Sequence, residues 1–79
     1  METIAEAWDK YREKVVPENY SLIQKMETRR AFYSGAQSML TIVKAIGSDA
    51  ISEDHGIAIL EALQQEQLEF IASIYRGES

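Results

Sequence analysis

A chain of 79 residues with 13 acidic and 8 basic side chains, a net charge of −5 and no cysteine is sized for one small domain without disulfides or thiolate metal ligands. The acidic balance opposes the many phosphate neutralisations that binding along DNA or RNA requires. Chains of this size bury only roughly 60% of their unfolded surface, so self-association is the expected source of further buried area.

No apolar run approaches the ~20 residues needed to span a bilayer, and the acidic, amphipathic start is unlike a signal peptide. The expectation is a soluble cytosolic protein with no membrane partner. Only one proline and four glycines interrupt the sequence. Thr3 and Glu6 fit a capping box and precede Ile4, Trp8, Tyr11 and Val15 at helical spacing. This pattern predicts a first helix over about 4–15, stopped before Pro17 because the residue preceding proline avoids the helical region. Glu6, Asp9, Lys10, Glu13 and Lys14 form its solvated face, with Glu6–Lys10 an expected i,i+4 pair.

A second helix is predicted over about 20–46, starting between Glu18 and Ser21, where Ser21 and Gln24 fit another capping box. Leu22, Met26, Tyr33, Ala36, Leu40 and Val43 fall on one seam, which Arg29 interrupts, while Phe32, Met39, Ile42 and Ile46 widen the apolar surface. Gly47 is the expected stop. Ser52 then caps a third helix over about 53–75, with Glu53 and Asp54 at the positive end of its dipole and Gly77 ending it. Its apolar residues include Ile57, Leu60, Leu63, Phe70, Ile71 and Ile74.

The short connection predicts an antiparallel hairpin of the two long helices. The fold class expected is therefore all-α: a short N-terminal helix packed on a two-helix antiparallel hairpin, one domain over 1–79, set to oligomerise. A turn centred near Asp49 would bring Glu66 and Glu69 level with Arg29, Arg30 and Tyr33.

The densest chemistry lies between Gln24 and Ala36, where Lys25, Arg29 and Arg30 precede Phe32 and Tyr33. Two readings apply to these cations. They pair with Glu27, Glu66 and Glu69, or they grip a phosphate, lysine as a point charge and arginine as a planar fork. Trp8, Tyr11 and Tyr33 serve either as core packing or as surfaces on which a base stacks. Arg76 suits the negative end of the last helix dipole. His55, the only histidine, sits at the third position of helix three with no nucleophile near it in sequence. With no glycine-rich phosphate loop, no carboxylate dyad and no nucleophile–base pair, the expectation is a protein that is not an enzyme and uses neither metal nor cofactor.

Pro17, Gln24, Glu27, Arg30 and the closing Ile74-Tyr75-Arg76 follow the layout of small helical phage proteins. Across most of its length the chain resembles the phage anti-CBASS cyclic-oligonucleotide sponges. These have a brief helix, a proline, a long helix opening Gln-x-x-Glu-x-x-Arg, a turn, and a last helix ending Ile-x-Arg. The stretch Arg29-Arg30-Ala31-Phe32-Tyr33 is bulkier and more aromatic than the family's alanine-rich version.

The resemblance implies a homo-oligomer, a hexamer among the forms expected, that sequesters an immune second messenger in the cytoplasm of the infected bacterium without cleaving it. The ligand would be a cyclic di- or trinucleotide, or a cyclic ADP-ribose-type molecule of the kind Thoeris systems make. By position, Tyr11 and Lys25 resemble the family's aromatic and lysine contacts at the dinucleotide pocket, and Arg76 resembles an arginine of a second ligand site. Lys25, Arg29 and Arg30 are then the expected phosphate ligands and Trp8, Tyr11 and Tyr33 the stacking surfaces. Two other readings fit the residues: an interaction module that inhibits a host or defence protein, and a virion accessory protein.

Overall fold

The computed structural model describes residues 1–78. Among them are three helices and no strand: α1 (Ile4–Val15), α2 (Leu22–Ile46) and α3 (Glu53–Tyr75). The chain is thus all-helical. It forms two compact units, Met1–Ile42 and the residues from Val43 onward.

In the first unit, α1 starts where its cap dictates. The Glu6 N–H donates to Thr3 Oγ1 at 3.1 Å, and the Thr3 N–H donates back to Glu6 Oε1 at 3.2 Å. Two of the four orphan donors at the helix start are satisfied reciprocally. Thr3→Ala is accordingly expected to cost about 1 kcal/mol, measurable as a lowered midpoint in urea unfolding; no change in midpoint would mean the cap contributes nothing.

Because Glu6 is held by its cap, the expected Glu6–Lys10 pair does not form. Lys10 pairs instead with Glu2, and Arg12 with Asp9 at 3.5 Å. Both pairs are exposed, and such contacts contribute ~0–1 kcal/mol. The helix ends at Val15, with Val16 extended at φ −92° and its N–H returning to the Arg12 carbonyl at 3.1 Å.

α2 begins at Leu22, two residues later than the sequence pattern suggests. The Tyr20 N–H is taken by the Pro17 carbonyl at 3.2 Å, which closes a turn ahead of the helix. Ser21 then caps it: its hydroxyl accepts from the Gln24 N–H at 3.1 Å, and the Ser21 N–H donates to Gln24 Oε1 at 2.7 Å. α1 docks on α2 through rings. Trp8, only 7% exposed, is the one large apolar side chain classed as buried among the described residues. Its ring centroid lies 5.4 Å from that of Phe32, and Tyr11 lies 5.3 Å from the same ring.

The second unit holds the last turn of α2, the connection and α3. Gly47 ends α2 without the left-handed backbone expected of it, since Gly77 is the only glycine with positive φ among the described residues. The close is made by the Gly47 N–H on the Val43 carbonyl at 3.1 Å and the Ser48 N–H on the Ala45 carbonyl at 3.2 Å. Ser52 caps α3 by accepting from the His55 N–H at 3.2 Å.

One turn into α3, the buried Gly56 lies against Ile46. A Cβ at position 56 would stand 2.9 Å from Ile46 Cγ2. The far end of α3 closes through Gly77 at φ 75°. The Glu78 N–H reaches the Ser73 carbonyl at 2.9 Å and the Gly77 N–H reaches that of Ile74 at 3.0 Å, which together make a Schellman motif.

Candidate functional site

All the aromatic and cationic candidates except Arg76 lie in the first unit, where they line concave sites among the described residues. The first, about 340 Å³, is lined by Met26, Arg29, Arg30 and Tyr33. These four stand at i, i+3, i+4 and i+7, so they share one stripe of α2. The Arg29 guanidinium lies over the Tyr33 ring, 5.5 Å from its centroid, a contact worth ~0.5–1 kcal/mol where water has access. No ion pair joins Arg29, Arg30 or Lys25 to a carboxylate of this unit among the described residues. The arginine donors are therefore presented beside an aromatic face.

The second site, about 240 Å³, is lined by Trp8, Arg12, Glu13, Val16, Pro17, Glu18 and Lys25. It sits where α1 ends and the chain turns back toward α2. Lys25 belongs here rather than with the arginines for a geometric reason. Residues five apart on a helix point about 140° away from each other, at about 100° per residue, so Lys25 and Arg30 face different directions. Lys25 instead shares a stripe with Phe32, seven positions on, and Phe32 is the residue against which α1 docks.

Four rings form a continuous group. Trp8 and Tyr11 meet at 6.0 Å, both contact Phe32, and Phe32 meets Tyr33 edge-on at 6.2 Å. Trp8 is buried within this group, Tyr33 is half-buried, and Tyr11 keeps 38% of its surface exposed. Phe32 is the hub, linking the ring beside Arg29 to the rings of α1. Sequence reasoning assigns Phe32 only to the apolar surface, and it assigns Met26 to a packing seam rather than to a cavity wall. The signal for Met26 was present in its spacing from Arg29, Arg30 and Tyr33. The signal for Arg12, Glu13 and Glu18 was not, because they reach Lys25 only through the fold.

Arg76 stands apart in the second unit. It is the C-cap residue of α3, and its Nε donates to Glu78 Oε2 at 2.8 Å. Among the described residues no cluster of three histidine or carboxylate side chains is placed to hold a metal ion, and no helix is long and apolar enough to cross a membrane. The chain matches no protein-family model, no curated protein and no solved structure.

Proposed function

We propose that this protein is a phage-encoded sponge: a homo-oligomer that binds a cyclic-nucleotide immune messenger in the cytoplasm of the infected host and holds it without cleaving it. The observation that carries the reading is the cavity where Arg29 covers Tyr33 and Arg30 stands beside them. A planar fork beside a ring offers a phosphate its hydrogen-bond donors and a base its stacking face. Its volume falls within the ~300–1,000 Å³ range of small-ligand sites. Lys25 lines a separate cavity with Trp8 and offers a cation to a second ligand contact there. An acidic particle with these local positive sites disfavours nucleic-acid polymers while admitting a small anion.

Isothermal titration with cyclic dinucleotides, cyclic trinucleotides and cyclic ADP-ribose isomers tests this directly. Saturable binding to one class is expected, and Lys25→Ala and Arg30→Ala are each expected to reduce it at least tenfold with little change in melting temperature. Heat-silent titrations with every ligand would sink the proposal. A second reading has its own support: Leu22 and Ile23, 74% and 67% exposed, suit a protein-binding module that inhibits a host or defence protein. Recovery of one stoichiometric host partner, with no nucleotide binding, would favour it.

A further inference from the structure

The charge of the chain is unevenly placed. Residues 1–42 hold six carboxylates and six lysines or arginines, so the first unit is neutral. From Val43 onward seven carboxylates face two cations, and the whole net charge of −5 lies there. No lysine or arginine occurs between Lys44 and Arg76, and Arg76 is held by Glu78 at 2.8 Å. Among the described residues Asp49, Glu53, Asp54 and Glu61 enter no ion pair.

The same unit exposes an apolar stripe. Ile57, Leu60, Leu68, Ile71 and Tyr75 fall on one side of α3, with Gln64 among them, at helical spacings of three and four. Ile57 is 50% exposed and Tyr75 88%. At its N-terminal end the stripe runs into a cavity of about 520 Å³, walled by Ile46, Ile51, Ile57 and Leu60 over the buried Gly56. Asp49 and Glu53 line the same cavity. Ser52, also on its rim, has its hydroxyl committed to the His55 N–H. The charged groups this cavity presents are all carboxylates.

We infer that cavity and stripe form a docking groove for a basic amphipathic helix of a different protein. Its aliphatic side seats on Ile57 and Leu60, and its lysines or arginines meet Asp49 and Glu53. Exposed apolar stripes edged by charge mark interaction surfaces, and a helix laid on such a stripe is a recurring mode of recognition. The sign of the charge selects the occupant. An acidic segment, or the same unit of a second copy, brings like charges together. Nucleic acid and an anionic membrane surface are repelled for the same reason. A purely apolar partner would cover the carboxylates and leave them unpaired. The inference goes beyond the nucleotide reading, since no residue of the cavities at Arg29 or Lys25 takes part in it.

The probe is a fluorescein-labelled helical peptide of leucine and lysine in amphipathic order, titrated with the full chain and read by anisotropy. Control peptides carry glutamate in place of lysine, or serine in place of leucine. Saturable binding is expected for the leucine–lysine peptide and for neither control. Leu60→Ser should weaken it about tenfold through lost apolar contact, and Asp49→Asn combined with Glu53→Gln about fivefold. Glu66→Gln combined with Glu69→Gln removes the same charge away from the stripe and should change binding less than about twofold. Equal losses from the two charge pairs would reduce the effect to net charge and overturn the groove, as would absence of binding. A fall in native mass on Leu60→Ser, with the parent chain refusing the peptide, would place a second copy on the stripe and overturn it too. Ile57→Ser repeats the apolar test should Leu60→Ser lower the melting temperature.

Discussion

Replacing Trp8 with alanine is expected to release α1 from the rest of its unit. Trp8 is the one large apolar side chain buried among the described residues, and its contact with Phe32, beside that of Tyr11 with the same ring, joins α1 to α2. Truncating a buried tryptophan costs about 3–5 kcal/mol, a large part of the ~5–15 kcal/mol that holds a typical domain together. α1 has 12 residues, and isolated helices of that length are marginal in water. The variant should therefore lose helical signal in far-ultraviolet circular dichroism, about the share contributed by α1, and expose Phe32 and Tyr11 to solvent. Trp8→Phe, which keeps a ring facing Phe32, should retain most of both. An alanine variant with unchanged helicity and melting temperature would show that something other than this ring holds α1.

The second large effect is expected at Gly56. Glycine within a helix normally costs about 1 kcal/mol relative to alanine, so Gly56→Ala would be stabilising on propensity alone. Here the added methyl would stand 2.9 Å from Ile46 Cγ2. That carbon is attached at the branch point of a β-branched side chain whose χ1 is restricted within a helix, so it cannot swing aside as a flexible tip would. Overpacking of this kind costs about 1–3 kcal/mol.

Gly56→Ala is therefore expected to lower the melting temperature despite its better helix propensity, and Gly56→Val to lower it more. Pairing Gly56→Ala with Ile46→Ala, which removes Cγ2, should recover part of the loss and show that the two positions are coupled. If Gly56→Ala melts at or above the parent temperature, the contact is looser than the 2.9 Å approach implies.

The three helices were legible in the sequence because each start is chemically marked. Thr3 with Glu6, Ser21 with Gln24, and Ser52 before Glu53 and Asp54 name the caps outright, and all three act as caps. The Arg29–Arg30–Tyr33 cluster was legible for a related reason: residues on one helical stripe meet wherever the helix goes. What escaped were contacts decided by competition. Glu6 had two possible partners, and the cap took it, leaving Lys10 to Glu2. Gly47 and Gly77 read alike as stops, yet only Gly77 uses the left-handed backbone. Lys25 read as one of three neighbouring cations, although its stripe turns it toward Trp8 and away from Arg30.

The packing within each unit has a kinetic side. Trp8 and Phe32 are 24 positions apart, and Ile46 and Gly56 only 10, so both contacts close over short stretches of chain. Loops of such length close with little entropic penalty, and helical proteins dominated by local contacts fold on the scale of microseconds to milliseconds. Each unit can thus acquire its shape while the chain is still emerging during synthesis, at ~5–20 residues per second.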